Sequence, residues 1–375
     1  MTEIIPGIYQ LKVPIPNNPL GNTNSYLLKS DDGYLIIDPG MNNDAAFEAL
    51  KKELDAIGVA IEEITRILAT HGHPDHIGLA GRLKKLSNAT LTAHQVAQDM
   101  QFMGQNRQGR GEQIEKWLTM NGVPKPDPAD FQRSPGGQGR GGPPGGGPPM
   151  GGPQAGGGQM GGPQGGPQAG GPRPPNFPEP TIPDVVLQGG ETINFGSFNL
   201  EVFFTPGHDP GHICLYERAH KILFSGDHVL PVITPSVGLQ TDSTLNPLGN
   251  FINSLNSVKH LDVTLVLPGH EQTFTNLRGR VEEILAHHHH RDAEIMATLN
   301  GEDKTAYEIS MGITWMPSLG GKKFQALGPG DKRMAVMETL AHLKVMRDNG
   351  TVSTISKDSI VYYSGNGKNK PPTSE

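Results

Sequence analysis

An apolar run in the first third of the chain passes without a linker into a cluster of polar ligands. Thr65-Arg66-Ile67-Leu68-Ala69-Thr70 is followed directly by His71-Gly72-His73-Pro74-Asp75-His76. The first segment predicts a short apolar strand. In extended backbone alternate residues face the same way, so His71 and His73 can point at one metal ion. The chain then turns at Pro74. Asp75 and His76, at the entry to a predicted helix, can reach a second metal alongside. Imidazole and carboxylate ligands without thiolates suit zinc, and also iron or manganese.

Each metal needs further ligands, and three other segments have the right form. Phe203-Phe204-Thr205-Pro206-Gly207-His208, Leu223-Phe224-Ser225-Gly226-Asp227 and Leu265-Val266-Leu267-Pro268-Gly269-His270 are apolar strands that each end in a glycine turn presenting a ligand. Glycine lets backbone approach a metal centre without a Cβ clash. Strand ends gathered along one edge of a sheet layer would bring these loops together.

In this order, the motif set resembles the metallo-β-lactamase superfamily, in particular its glyoxalase-II-like and hydrolase branch that includes β-lactamase-like protein 2. The resemblance covers roughly residues 3–100 and 182–290. It implies an α/β fold, a four-layer αββα sandwich with metals at one edge between the sheets. Carried over residue by residue, it implies that His71, His73 and His208 hold one metal, that Asp75, His76 and His270 hold the other, and that Asp227 bridges them. Two divalent cations are expected, zinc first, with iron or manganese allowed. Such a pair can share a water and lower its pKa from about 15.7 towards ~7. Asp75 and Asp227 are the expected catalytic residues, partly neutralising the cations and orienting the water. The expected reaction is hydrolysis of a small acyl compound, thioester, ester or lactone. An RNA-cleaving phosphodiesterase and a mono-iron dioxygenase are the alternatives.

The rest of the chain reads as a host for this site with one foreign segment. Of 50 glycines and 33 prolines, 19 and 11 fall within Ser134 to Pro175, and the remainder is ordinary for a globular protein. Gly-Gly-Pro-Gln-Ala-Gly-Gly occurs twice, from Gly151 and from Gly165. Such a tract offers too little apolar area to offset ~1–2 kcal/mol of backbone entropy per ordered residue. Residues 123–181 are therefore expected to be a disordered insertion between the halves of a metallo-hydrolase domain, 1–122 and 182–290. Helices are predicted from Asn43 or Asp44 to about Ile57, over Gly78–Leu86, Ala93–Met120, Asn250–Lys259 and Asn276–Leu299. Thr305 and Glu308 fit a capping box. A helix over Arg333–Asp348 and strands at Val352–Ile355 and Ile360–Tyr363, with Ser356–Ser359 as the turn, follow the order of a winged-helix-like module over 291–364. A flexible tail is expected over 365–375.

The net charge of −7 gives no general attraction to nucleic acid or anionic membrane. The expected partner is a small-molecule substrate. A second copy of the chain is allowed, and nucleic acid is the weaker alternative, resting on Lys322, Lys323, Lys332, Arg333, Lys344 and Arg347. No apolar run is long enough to span a membrane, and the N-terminus lacks the features of a signal peptide, so the expected location is the cytoplasm. A single cysteine, Cys214, excludes an intrachain disulfide and is expected to pack as a small apolar residue. Asp38 is expected to brace the metal loops from behind, and His212 to lie beside them. Four successive histidines, His287 to His290, point in different directions on a helix and are expected to form a polar face. Trp117 and Trp315 are expected to serve local packing. Deleting residues 136–172 should leave the melting temperature within a few degrees of the full chain; a large fall in a thermal melt would contradict the insertion reading.

Overall fold

The computed structural model describes residues 1–95, 107–125, 182–239, 241, 245–316 and 320–366. Most of the expected insertion 123–181 and the tail from 367 lie outside the described residues. The first half contributes β1 (Thr2–Ile5), β2 (Ile8–Pro14), β3 (Asn22–Ser30), β4 (Gly33–Ile37), α1 (Asp44–Asp55), β5 (Ile64–Leu68), α2 (Pro74–Ile77), α3 (Ala80–Ser87), β6 (Thr90–His94) and α4 (Arg107–Met120). The second half adds β7 (Val185–Leu187), β8 (Thr192–Phe195), β9 (Phe198–Phe204), β10 (Ile213–Glu217), β11 (Ile222–Gly226), α5 (Pro247–Val258), β12 (Leu265–Pro268) and α6 (Leu277–Leu299). The remainder is α7 (Ala306–Gly312), β13 (Thr314–Trp315), β14 (Lys322–Lys323), α8 (Pro329–Asp348), β15 (Val352–Lys357) and β16 (Ile360–Gly365).

Two sheets face each other. The first runs β1-β2-β3-β4-β5-β6-β7 and the second β12-β11-β10-β9-β8. Strands β1 to β4 pair antiparallel; β4 to β7 pair parallel, which requires crossovers such as α1 on the outer face. Side chains alternate across each strand. Leu27 and Ile36 therefore pack outward against Leu50 and Leu54 of α1, while Tyr26, Leu28 and Ile37 pack inward against Leu200, Leu215 and Phe224 of the second sheet. On the far side of that sheet, Cys214, Tyr216 and Leu223 pack against α5 and α6. The order helix, sheet, sheet, helix is the four-layer sandwich expected.

Local signals explain most element ends. The Asn43 side chain accepts from Ala46 N–H and starts α1, and Asn276 does the same for α6 through Gly279. Thr305 and Glu308 form the capping box of α7 in both directions. The expected helix over Ala93–Met120 is corrected. Thr90–His94 is a strand wedged in parallel pairing between β5 and β7, and the described residues of the helix run from Arg107 to Met120. Sheet pairing supplied by residues far away in sequence outweighs the local pattern there. The expected hairpin turn is also shorter: the strands reach Lys357 and Ile360, and Asp358 and Ser359 turn with positive φ.

The C-terminal segment shares its core with the sandwich. Ile309, Trp315, Leu340 and Leu343 pack in one cluster with Leu255 and Val281. Residue 290, where a boundary was expected, lies inside the continuous helix α6. Arg291 of that helix is only 2% exposed. Its guanidinium lies 4.3 Å from the Trp315 ring centroid, donates to Thr314 O at 3.0 Å and sits 3.7 Å from Glu338. Arg291→Ala removes this packing and leaves Glu338 without its cation. It should cost about 3 kcal/mol of stability, read as a lower urea midpoint with an unchanged m value.

Candidate metal centre

The C-terminal ends of β5, β9, β11 and β12 all lie at one edge of the sandwich, a consequence of the strand directions. Two backbone bonds tie the sheets there: Ile213 N–H donates to Thr70 O at 2.8 Å, and Asn24 N–H donates to Gly269 O at 2.7 Å. The four ligand motifs are therefore delivered to one place.

All seven side chains singled out in the sequence meet at this edge. One group comprises His71, His73, His208 and Asp227; an adjoining one comprises Asp75, His76 and His270, with ligand atoms in each within 4.8 Å of one another. His73 Nδ1 lies 3.1 Å from His208 Nε2, and His76 Nε2 lies 3.2 Å from His270 Nε2. Asp227 reaches both groups, with Oδ2 3.6 Å from His208 Nε2 and 3.3 Å from His270 Nε2. Asp75 Oδ2 is 3.6 Å from His270 Nε2.

The outer nitrogens show which way the lone pairs point. His208 Nδ1–H donates to Ser236 O at 2.8 Å, and His270 Nδ1–H to Asn22 O at 2.9 Å. His76 Nδ1–H donates to Asp38 Oδ2 at 2.8 Å. Thr70 Oγ1 donates to Asp38 Oδ2, which leaves it to accept from His71 Nδ1–H at 3.0 Å. In each of these four rings an oxygen acceptor fixes the proton on Nδ1, so Nε2 carries a free lone pair towards the centre. His71 Nε2 and Asp227 Oδ1 are buried with no hydrogen-bond partner. Orphaned acceptors at the focus of a histidine and carboxylate set fit divalent cations and little else.

Electrostatics agree. Burial, with His76 and His73 adding to it, holds the His71 imidazole well below its ordinary pKa. Burial also lowers His73 and His208. Burial opposes protonation of His76 too, but Asp227 and Asp38 outweigh it and hold this ring well above the usual range. Burial pushes the Asp227 carboxyl up, and His76 and His270 overcome that and hold it well below. The carboxylates thus favour positive charge at this point, which a proton or a metal ion can supply.

Asp38 lies behind the ligands as expected, buried in a left-handed conformation with φ 51°, and accepts from Thr70 N–H at 2.7 Å as well as from His76. His212 is no part of either ligand group. Its Nε2 accepts from Asp227 N–H at 3.1 Å, and its Nδ1–H donates to Thr205 Oγ1 at 2.9 Å. Gly269 is required by close approach, since a Cβ there would lie 2.5 Å from Asp227 Oδ1. Cys214 packs in the core, its thiol pushed up to about 12 by burial. The expected polar face of His287–His290 holds for His289 and His290 but fails for His288, which is buried against Phe251 and His342. Ser236, Asn22 and Thr70 went unread in the sequence. Ser236 and Asn22 act through backbone carbonyls, which leave no side-chain signature.

Protons compete with metal for the same lone pairs. His76 and His270 have raised pKa values, so they protonate at higher pH than His71, His73 and His208 as acid is added. Bound metal after dialysis from pH 8 downward should therefore fall as these ligands take up protons. Metal content that stays constant as the pH falls would contradict the assignment of these side chains as ligands.

The family model described as Metallo-beta-lactamase superfamily matches residues 18–270. The probable metallo-hydrolase YqjP of Bacillus subtilis (strain 168) is 22% identical over 366 residues, covering 95% of this chain and 97% of that protein. The crystal structure of a metallo-beta-lactamase family protein from Thermus thermophilus matches with a TM-score of 0.72 at 27% identity, covering 97% of this chain and 100% of that one. The acyl-coenzyme A thioesterase MBLAC2 of Homo sapiens is 38% identical over 92 residues, 24% of this chain and 33% of that protein.

Proposed function

We propose a reaction from one premise: the chain belongs to the metallo-beta-lactamase superfamily. It is a metallo-hydrolase, and we infer that its substrate is a small thioester or ester and its metals a pair of zinc ions. The observation that carries this reading is the sharing of Asp227 between two adjoining ligand groups. His71, His73 and His208 would hold one ion, Asp75, His76 and His270 the other, and Asp227 would be shared by both. When bound, the ions supply Lewis acidity to a carbonyl oxygen and make a water molecule acidic near neutral pH.

The protein's own groups do the rest. Asp227, held by His212 through its backbone N–H, fixes the direction from which water approaches. Asp75 is half-buried at the first turn of α2, and its carboxylate takes the water proton and returns it to the departing thiolate or alkoxide. The water oxygen bonds to the carbonyl carbon as the C–S or C–O bond breaks, giving an acid and a thiol or alcohol. Asp38, Ser236 and Asn22 keep the imidazoles oriented throughout.

The partial likeness to acyl-coenzyme A thioesterases supports the acyl substrate. The basic residues that would favour nucleic acid are partly spoken for: Arg333 pairs with Glu115, and Lys344 with Asp348. A panel of thioester, ester, lactone, β-lactam and RNA substrates, run with metal quantification, tests the reading. Thioesters and esters should be turned over best. Asp227→Ala should lower kcat by more than about 100-fold and release part of the metal, while circular dichroism stays unchanged. Unchanged turnover in Asp227→Ala, or cleavage of RNA alone, would overturn it.

A further inference from the structure

A cleft of about 280 Å³ is lined by Lys12, Leu20, Asn22, Asn24, Glu271 and Gln272, among them residues that adjoin the His270 ligand in sequence or contact its ring. It begins where the ligands end. Glu271 and Gln272 directly follow His270, and Asn22 supplies the carbonyl that orients the His270 ring. Lys12 lies near the end of β2, on the strand face that Ile8 presents to the second sheet, and opposite Asn24 of β3.

Its ammonium is held in place. Lys12 Nζ donates to Asn24 Oδ1 at 2.7 Å and has a longer contact of 3.5 Å with Glu271 O. Asn24 is 1% exposed and spends both amide N–H groups on the loop carrying His270: Nδ2 donates to Pro268 O and to Glu271 O, each at 2.9 Å. Among the described residues no carboxylate lies within ion-pair distance of Lys12. The Glu271 carboxylate is engaged elsewhere, accepting from Val232 N–H at 2.9 Å and Ile233 N–H at 3.3 Å. An ammonium has three donors, and here only neutral partners take them. Fixing a lysine side chain costs rotamer entropy. A positive charge fixed by a buried amide, with no carboxylate in ion-pair contact among the described residues and only the more distant Glu53 acting on it, is arranged for an anion.

We propose that Lys12 determines specificity by binding a carboxylate or phosphate oxygen of the substrate in this cleft while the scissile carbonyl sits at the metal centre. The proposal rests on the acyl-hydrolase reading and narrows it to anionic thioesters and esters. Leu20 supplies the apolar wall along which the connecting chain of the substrate lies.

The test is equilibrium binding of non-hydrolysable thioether analogues to the metal-loaded full-length protein by calorimetry. One analogue carries a carboxylate on the acyl arm, a second a phosphate on the thiol arm, and a third is the uncharged amide. Wild type should bind one anionic analogue at least about 10-fold more tightly than the amide, and added salt should shrink the difference. Whichever analogue shows the preference identifies the arm that Lys12 holds. Lys12→Met, which keeps most of the side-chain volume, should lose the preference and leave amide binding unchanged; Lys12→Arg, which keeps the charge, should retain it. Equal affinity for all three analogues in wild type, or a preference that survives in Lys12→Met, overturns the proposal, because the anion is then held elsewhere. A Lys12-dependent preference in a protein that hydrolyses neither thioesters nor esters sustains the anion site and removes the acyl-hydrolase reading, so the two can fail separately.

Discussion

Burying imidazoles and carboxylates around one point is unfavourable unless their polar atoms are paired. His71, His76 and His270 are fully buried and Asp227 is 6% exposed, and the fold meets that constraint from the outside inwards. Every outward ring nitrogen of His71, His76, His208 and His270 has an oxygen partner. What remains unpaired points to the centre. The architecture around the site can be read as the means of supplying these outer partners. Asp38 is the clearest case: one carboxylate in a left-handed backbone conformation serves the Thr70 amide, the Thr70 hydroxyl and the His76 ring together. Left-handed backbone is unfavourable for a residue with a Cβ, and three hydrogen bonds offset that cost.

The sheets provide the rigidity. Their facing sides form one apolar core containing Tyr26, Leu28, Leu200 and Phe224. Tyr26 also reaches the ligand edge, its hydroxyl donating to Pro268 O at 2.8 Å. Because strand direction puts four loop origins at the same edge, a modest number of bonds fixes them relative to one another. Most come from backbone or from short buried side chains, which lose little conformational entropy. Flexible side chains appear at the rim, where Lys12 reaches the cleft.

The sequence made the ligands visible because each sits in a local motif: a strand, then a turn, then a side chain whose chemistry is unusual in that place. Helix caps at Asn43 and Thr305 were legible for the same reason, since cap and capped amide lie within three residues. The unread features depend on distance in sequence. His288 looked like part of a polar face, yet its partner His342 lies 54 residues away. Ala93 and His94 resembled the start of a helix, yet they belong to a strand enclosed by β5 and β7. The acceptors for His208 and His270 are main-chain carbonyls, which every residue possesses and no pattern marks. Periodicity and motif spacing report what a segment can do alone, not which remote atom completes it.

The same dependence on remote partners explains why the C-terminal segment is more than an attachment. His208 takes its orientation from Ser236 O, and three residues later Leu239 N–H donates to Met337 O of α8 at 2.9 Å. Between them Gly238 passes so close that a Cβ would lie 3.1 Å from Met337 Cβ. A second route runs through the interior. Asp292 accepts from His342 Nδ1–H at 2.7 Å, His342 Nε2 faces His288, and His288 meets Phe251 edge-on. Phe251 in turn closes against Gly207, where a Cβ would lie 2.4 Å from its own Cβ. Both routes end at the turn that carries His208. Helix α8 therefore belongs to the scaffold of the metal centre: the strap and the aromatic contact limit how far His208 can move from His73, and both depend on α8 staying docked against α5 and α6.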